Sequence, residues 1–142
     1  MDTKVIKVKY LRDIVELVKY GDWVDLRTGI DVTIKKGESF LIPLGVAMKL
    51  PKGYEAIVAP RSSTFGKWGI LQTNSIGVID EKYCGDNDEW HFSAYAVRDT
   101  FIPKNTRIAQ FRIQEHQPDC LFITVENMTD KNRGGFGSTG EK

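Results

Sequence analysis

Residues 31–50 read DVTIKKGESFLIPLGVAMKL, and this stretch decides the fold class of the chain. Its apolar residues fall into short runs at positions 31–34, 40–44 and 46–50. The Lys35-Lys36-Gly37 sequence between the first two runs is typical of a tight turn. Because short apolar runs bounded by turn residues predict β-strands, the stretch predicts consecutive strands.

The same pattern continues on both sides of this stretch. Strands are predicted at residues 5–10, 54–59, 75–79, 90–97, 107–116 and 121–125. Turn residues separate many of them, as in Pro51-Lys52-Gly53, Gly85-Asp86-Asn87-Asp88 and Pro103-Lys104-Asn105. Many short strands at close spacing predict an all-β fold, either a barrel or a jelly-roll-like sandwich.

Residues 11–20 have a different pattern. Their apolar positions, Leu11, Ile14, Val15 and Val18, have the spacing of one helix face. The spacing predicts a short helix that packs on the core.

Length and composition limit the classes of protein to consider. The chain has 142 residues, of which 41% are hydrophobic and 27% are charged, as expected for one globular domain. A formal net charge of +1 gives no global attraction to nucleic acid or to an anionic membrane, so neither partner is expected. Two cysteines, Cys84 and Cys120, are too few for a disulfide framework. With no signal peptide or membrane span in the sequence, we expect a cytoplasmic protein.

The C-terminal segment, residues 129–142, has almost no core-forming residue, and its composition predicts a mobile tail. Within it, Arg133 and Phe136 stand in the glycine-rich sequence RGGFGSTG. Glycines permit close approach to a phosphate, arginine binds phosphate oxygens, and phenylalanine offers a face on which a base can stack. A disordered terminus with one isolated aromatic residue explains the same sequence equally well.

Three further segments, taken together with the tail, favour a phosphate- and base-binding role for the tail over a disordered terminus. They are PRSST at residues 60–64, NSIGVIDEKYCG at residues 74–85 and RIAQ at residues 107–110. In this order, and followed by GFGSTG at residues 135–140, they resemble motifs two to five of the homotrimeric dUTPase family. The ordered set is specific, although each segment alone is not.

Motif one of that family contains an aspartate, and the sequence offers two candidates. Asp25 lies in VDL, and Asp31 lies in GID six residues later. The usual run from this motif to the next strand places the family's aspartate at Asp25. Asp31 is then expected to start a strand.

The resemblance, which covers about residues 25–140, implies a fold and a reaction. The fold is a distorted jelly-roll-like β-barrel in residues 1–128, with a lid arm in residues 129–142. The reaction is hydrolysis of dUTP to dUMP and pyrophosphate by attack of water on the α-phosphorus. A homotrimer is implied, in which motifs one, two and four come from one subunit, motif three from another and the tail from the third.

The resemblance also assigns catalytic roles. Asp80 is expected to be the general base and to contact the deoxyribose 3′-hydroxyl. Gln110 and Ser62 are expected to act on the phosphates. Tyr83 is expected to pack beneath the deoxyribose, where it leaves no room for a 2′-hydroxyl.

Substrate binding is expected to involve motifs two to five, with uracil read largely through backbone groups on either side of Asp80. Arg133 is expected on the γ-phosphate and Phe136 over uracil. The cofactor implied is Mg2+, held mainly by the triphosphate and contacted by Asp25 through water. The full set of implied contacts is Arg61, Ser62, Ser63, Asn74, Gly77, Val78, Ile79, Asp80, Tyr83, Gln110, Arg133, Phe136, Gly137 and Ser138.

Two other functions fit parts of the sequence. A dCTP deaminase shares the fold and the R-S-S motif, but it needs a pocket glutamate, and residues 90–95 carry no carboxylate. Glu89 precedes that strand and is expected in a turn. A dUTPase-fold chain can also bind a regulatory protein, and nothing in the sequence opposes such a second role. A regulator therefore stays a candidate partner, beside dUTP and the other subunits.

Overall fold

The chain folds into short antiparallel strands, and a computed structural model describes residues 2–135. The prediction of an all-β fold is confirmed, because the single helix in this part has five residues. No helix there is long and apolar enough to cross a membrane. The elements in chain order are β1 (Lys7–Tyr10), β2 (Val24–Arg27), β3 (Val32–Ile34), β4 (Ser39–Pro43), β5 (Val46–Lys49), β6 (Tyr54–Pro60), α1 (Thr64–Trp68), β7 (Ile70–Gln72), β8 (Gly77–Ile79), β9 (His91–Ala96), β10 (Thr100–Ile102) and β11 (Arg107–Glu115).

The largest sheet has the strand order β2-β11-β6-β8. At one position of this sheet, Gln110 of β11 lies between Asp25 of β2 and Ala59 of β6. A second sheet has the order β4-β9-β7, while β1 pairs with β5 and β3 pairs with β10. The largest sheet therefore brings motif one and motif four beside the strand that leads into motif two.

Alternate residues of the strands supply the hydrophobic core. In β9, Phe92 and Ala94 are buried, whereas the residues on either side of them are more exposed. Trp90 packs edge-on against Phe111, with ring centroids 5.1 Å apart and an interplanar angle of 79°. Since successive side chains of a strand point to opposite faces, the other row can carry polar groups. The candidate residues of motifs one and four lie in that outer row.

The helix predicted for residues 11–20 is wrong, because this segment is irregular. Three of its backbone N–H groups donate to residues outside the segment, and Ile14 N donates to Arg12 O at 3.0 Å, which is not a helical hydrogen bond. Leu11 N donates to Gly45 O at 2.9 Å, Val15 N to Asn105 Oδ1 at 2.9 Å and Leu17 N to the Tyr10 hydroxyl at 2.6 Å. Tertiary hydrogen bonds have replaced the helical ones that the apolar spacing predicts.

The strand predicted for residues 121–125 is also wrong in this structure. The last strand, β11, ends at Glu115, and residues 116–135 contain no regular secondary structure. Leu121, Phe122 and Ile123 are exposed. A strand requires a partner for its backbone groups, and none of the described strands lies in register with this segment.

Candidate active site

The turn after β6 is fixed by a buried threonine. Thr64 Oγ1 donates to Ile108 O at 2.6 Å and accepts from Arg61 N at 3.0 Å. These hydrogen bonds attach the turn to β11 and leave the side chains of Ser62 and Ser63 exposed. Ser63 is the N-cap of α1, yet its hydroxyl makes no capping hydrogen bond, so both hydroxyls are available for a ligand.

Asp25 joins this turn to β11 through two ion pairs. Its Oδ1 lies 3.2 Å from Arg61 Nε, and its Oδ2 lies 3.4 Å from Arg107 Nη1. Gln110, directly opposite Asp25 in the sheet, donates from Nε2 to Pro60 O at 3.2 Å. The structure thus brings the candidate residues of motifs one, two and four together at one end of β6.

Positive charge is concentrated beside these residues. A cavity of about 230 Å³, here called the cationic cavity, is lined by Arg27, Arg61, Ser63, Lys67, Trp68, Asn105, Thr106 and Arg107. Guanidinium and ammonium groups that surround a polar cavity favour a phosphate chain. Arg27 was missed by sequence reasoning, although its position two residues after Asp25 puts both on the same face of β2.

Asp31, the alternative motif-one aspartate, lies elsewhere. It is exposed just before β3, where its Oδ1 accepts from Lys104 N at 2.7 Å. This position agrees with a structural role at the start of a strand. Asp25, and not Asp31, is the aspartate beside Arg61 and Gln110.

The second group of candidate residues lies in the turn after β8. Asp80 Oδ1 accepts from Lys82 N at 2.7 Å, and Asp80 O accepts from Tyr83 N at 3.0 Å. Glu81, which sequence reasoning missed, ties this turn to Gly53 N at 2.9 Å and lies 3.7 Å from His116 Nε2. These contacts give the Asp80 carboxylate and the Tyr83 ring a defined geometry.

Asp80 and Tyr83 border a largely apolar cavity of about 360 Å³, here called the apolar cavity. Its lining residues are Leu41, Val78, Ile79, Asp80, Tyr83, Glu89, Trp90 and His91. β8 lies at the edge of its sheet, so one row of its backbone groups is outside the sheet ladder. Asn74 does not line this cavity, because it lies in the turn before β8, as an exposed residue. Gly77 is the first residue of β8, next to Val78.

The ionisation of two groups at the apolar cavity is set by their surroundings. Partial burial, followed by the charges of Asp88 and Glu89, raises the pKa of Tyr83. The Tyr83 hydroxyl therefore stays protonated and donates to Glu89 O at 2.8 Å. Burial alone would raise the pKa of Glu89, but hydrogen bonds from Arg12 and Gly45 N outweigh it, and the pKa is lowered. Glu89 is therefore ionised near neutral pH.

The two groups of residues lie at opposite ends of β6. Ile79 pairs with Ala56, so Asp80 comes opposite Glu55, whereas Gln110 pairs with Ala59 and Arg61 follows the strand. At about 3.3 Å per residue, the path from Glu55 to Arg61 is roughly 20 Å. The two groups are therefore separated by most of the length of β6.

The tail is described only in part. Arg133 is exposed and lines neither the cationic cavity nor the apolar cavity. Phe136, Gly137 and Ser138 lie outside the described residues. Among residues 2–135 there is no group of three or more His, Cys, Asp and Glu side chains that could enclose a metal ion.

The cationic cavity is suited to an anion, and the apolar cavity beside a carboxylate is suited to a nucleoside. The fold and these two cavities therefore define an all-β protein of the nucleotide-binding class. Comparison with known proteins is more specific. A family model described as dUTPase matches residues 24–140. The SPbeta prophage-derived deoxyuridine 5′-triphosphate nucleotidohydrolase of Bacillus subtilis (strain 168) is 56% identical over 140 residues, which cover 96% of this chain and 99% of that protein.

Solved structures of dUTPases have the same fold. A mutant of the Staphylococcus bacteriophage 80alpha dUTPase with dUpNHpp has a TM-score of 0.75 and 22% identity, and the match covers 97% of this chain and 99% of that one. A mutant dUTPase from phage phi11 of S. aureus, described with a structural Mg(II) ion, has a TM-score of 0.73 and 17% identity, over 87% and 98% of the two chains. The chain belongs to the dUTPase family.

Proposed function

We propose that the chain hydrolyses dUTP to dUMP and pyrophosphate, with Asp80 as the general base. The observation that carries this proposal is the turn that holds Asp80 and Tyr83 at the mouth of the apolar cavity. The 56% identity to a deoxyuridine 5′-triphosphate nucleotidohydrolase supports the same substrate. Since dUTP is an intracellular nucleotide, we place the reaction in the cytoplasm.

The nucleoside would occupy the apolar cavity. The outer backbone edge of β8, with Val78 and Ile79, lies on one side of this cavity, and residues 89–91 lie on another. Uracil presents alternating acceptors and donors, which backbone groups can pair, so the side chain of Asn74 is not required there. Deoxyribose would rest on the Tyr83 ring, where a 2′-hydroxyl would be desolvated without a hydrogen-bond partner.

The triphosphate would occupy the cationic cavity. Arg61, Ser62, Ser63 and Gln110 remain our candidate ligands, and the lining of the cavity adds Arg27 and Lys67. Preorganised cations and hydroxyl donors stabilise the negative charge that develops when the α-phosphorus is attacked. For Asp80 to activate the attacking water, the α-phosphate must lie between the two cavities.

The residues present fit a magnesium ion that is held mainly by the substrate. Asp25 supplies a carboxylate beside the cationic cavity, and its oxygens pair with Arg61 and Arg107. A carboxylate already neutralised by arginines suits contact through the water shell of Mg2+ better than direct ligation. When bound with the triphosphate, Mg2+ would offset phosphate charge and polarise the α-phosphate.

We propose a homotrimer with shared active sites. The separation of the two groups along β6, roughly 20 Å by the rise of about 3.3 Å per residue, supports contributions from at least two chains. Arg133 and Phe136 would close the site as a lid from the third chain. The proposed regulatory partner has no support among the contacts of residues 2–135 and stays a prediction.

The deaminase alternative is disfavoured by the position of Glu89. Its carboxylate accepts from Arg12 Nε at 2.8 Å and from Gly45 N at 2.8 Å, and its pKa is lowered. A carboxylate held in its ionised form by these donors is poorly suited to move protons at a cytosine ring.

The test is release of pyrophosphate from dUTP, dCTP, dTTP and UTP in the presence of Mg2+. We expect cleavage of dUTP alone, and we expect Asp80→Asn to lower kcat by about 10²- to 10⁴-fold because it removes the general base. Ammonia release from dCTP is measured in parallel. If the wild-type chain leaves dUTP intact, or if it releases ammonia, the proposal is wrong.

A further inference from the structure

An ion pair outside the family motifs fixes one wall of the apolar cavity. Arg12 binds Glu89 through both carboxylate oxygens, with Nε–Oε2 2.8 Å and Nη2–Oε1 3.1 Å. The Glu89 side chain is largely buried, and Arg12 comes from the irregular N-terminal segment. A bidentate pair of this kind is directional and holds both partners in one geometry.

Two glycines make room for this pair. Gly45 N donates to Glu89 Oε2 at 2.8 Å, and Gly45 has a φ of 74°, which side-chain-bearing residues rarely adopt. A Cβ at Gly29 would lie 2.5 Å from Arg12 Cδ and 3.0 Å from Pro43 O. The Arg12 side chain therefore packs directly on backbone, so its orientation is fixed on both sides.

One backbone carbonyl, that of Glu89, links the Arg12–Glu89 ion pair to the Tyr83 ring, on which the deoxyribose would rest. Glu89 O accepts from the Tyr83 hydroxyl at 2.8 Å and lies 2.9 Å from His91 Nδ1. Within residues 2–135 the Tyr83 hydroxyl makes no other side-chain hydrogen bond, and 39% of the Tyr83 surface is exposed. The position of the ring therefore depends on the position of the Glu89 carbonyl.

We infer that Arg12 is a positioning residue for sugar selection: its pair with Glu89 holds the carbonyl that fixes the Tyr83 ring, and the fixed ring excludes ribonucleotides. This inference rests on the proposed hydrolysis of dUTP. Exclusion of a 2′-hydroxyl requires a ring that does not yield, because a small displacement would open space for one oxygen atom. The N-terminal segment thereby contributes to specificity without touching the substrate.

The experiment compares kcat/KM for dUTP with kcat/KM for UTP in wild-type protein and in Arg12→Gln. We expect the dUTP-to-UTP ratio to fall about fivefold, the effect of one net hydrogen bond, mainly through faster cleavage of UTP. Tyr83→Phe, which lacks the hydroxyl, should lower the ratio similarly. Because both changes act on one contact, the double variant should show no further loss.

Controls separate this role from a general loss of stability. Arg112→Gln removes another arginine ion pair, with Asp22 at 3.1 Å, from a residue that does not line the apolar cavity, and it should leave the ratio unchanged. Arg12→Lys should retain part of the wild-type ratio. Should Arg12→Gln fail to fold, Glu89→Gln provides the same test, since its amide oxygen can still accept from Gly45 N.

The outcomes distinguish the inference from the proposed function. A wild-type chain that does not cleave dUTP overturns both. A wild-type chain that prefers dUTP, with an Arg12→Gln ratio equal to wild type, overturns the inference alone. Additive losses in Arg12→Gln and Tyr83→Phe also overturn it, since the two residues would then act independently.

Discussion

The two ends of β6 carry different kinds of binding surface. At the Arg61 end, side chains dominate, with arginine, lysine and hydroxyl groups around a polar cavity. At the Asp80 end, the cavity is largely apolar, and it is bordered by the edge strand β8 and by the residues just before and at the start of β9. Residue types reveal the first kind of site, whereas the second kind depends on how the backbone is held. Both ends belong to one strand, yet most of the length of β6 separates them.

The largest effect is expected from variants that disable one end each. Asp80→Asn and Arg61→Ala should each lower dUTP hydrolysis by about 10²-fold or more, because one removes the proposed general base and the other removes a cation proposed to bind phosphate. Co-expression of the two variants should restore about a quarter of wild-type activity, since random assembly gives some sites two intact ends from different chains. The measurement is the activity of purified mixed oligomers.

The mixture made after separate purification, without subunit exchange, serves as the control and should stay inactive. If co-expressed chains are as inactive as the parents, the two ends act within one chain, and the shared-site proposal is wrong.

A smaller effect, on stability, is expected from Thr64, which holds the turn that carries Arg61. Thr64→Val should lower the free energy of unfolding by about 1–3 kcal/mol, because it removes the buried hydroxyl that bonds to both Arg61 N and Ile108 O and leaves only the long 3.4 Å hydrogen bond between those two groups. Chemical denaturation measures this difference. Thr73→Val removes an exposed hydroxyl contact with Ser93 and should change stability by less than about 0.5 kcal/mol. Equal effects would mean that Thr64 does not hold the turn.

The smallest effect, a pH dependence of stability, is expected from the charge of Glu89, which lies at the Asp80 end. The folded-state pKa of Glu89 is lowered from its ordinary value of 4.5, so its stabilising contribution is present above that value. It is lost as the pH falls through the lower, folded-state pKa. The stability difference between wild type and Glu89→Gln should therefore be larger at pH 7 than at strongly acidic pH.

Thermal unfolding across this pH range measures the difference, with Glu126→Gln in the exposed segment beyond β11 as the matched loss of a carboxylate. A difference that does not change with pH would show that ionised Glu89 contributes nothing to stability.

Local pattern predicted the strands that bury one row of side chains. The alternation in β6, β9 and β11 follows from the two-residue repeat of a strand, so the predicted and observed bounds nearly coincide. The prediction failed for residues 11–20 and 121–125. In the first, partners such as Asn105 and Gly45 come from distant parts of the chain, and in the second no partner strand is present among the described residues.

The sequence likewise predicted some residues of the candidate site and missed others. The order of the motifs predicted the candidates Asp25, Arg61, Asp80 and Gln110 because those residue types carry charge or hydrogen-bonding groups in recognisable sequences. The motifs did not predict Glu89 as a member of the cavity wall. Its role depends on Arg12, which is 77 residues away in the sequence.

The sequence by itself determined the all-β class, the family and the residue types available for chemistry, since these follow from side-chain pattern and motif order. Only the tertiary structure decided which groups meet. Strand register set the pairing of Asp25 with Gln110 and the distance between the two ends of β6. Backbone conformation at Gly45 let a distant arginine and glutamate support Tyr83. Such contacts are long-range, and local sequence pattern carries no information about them.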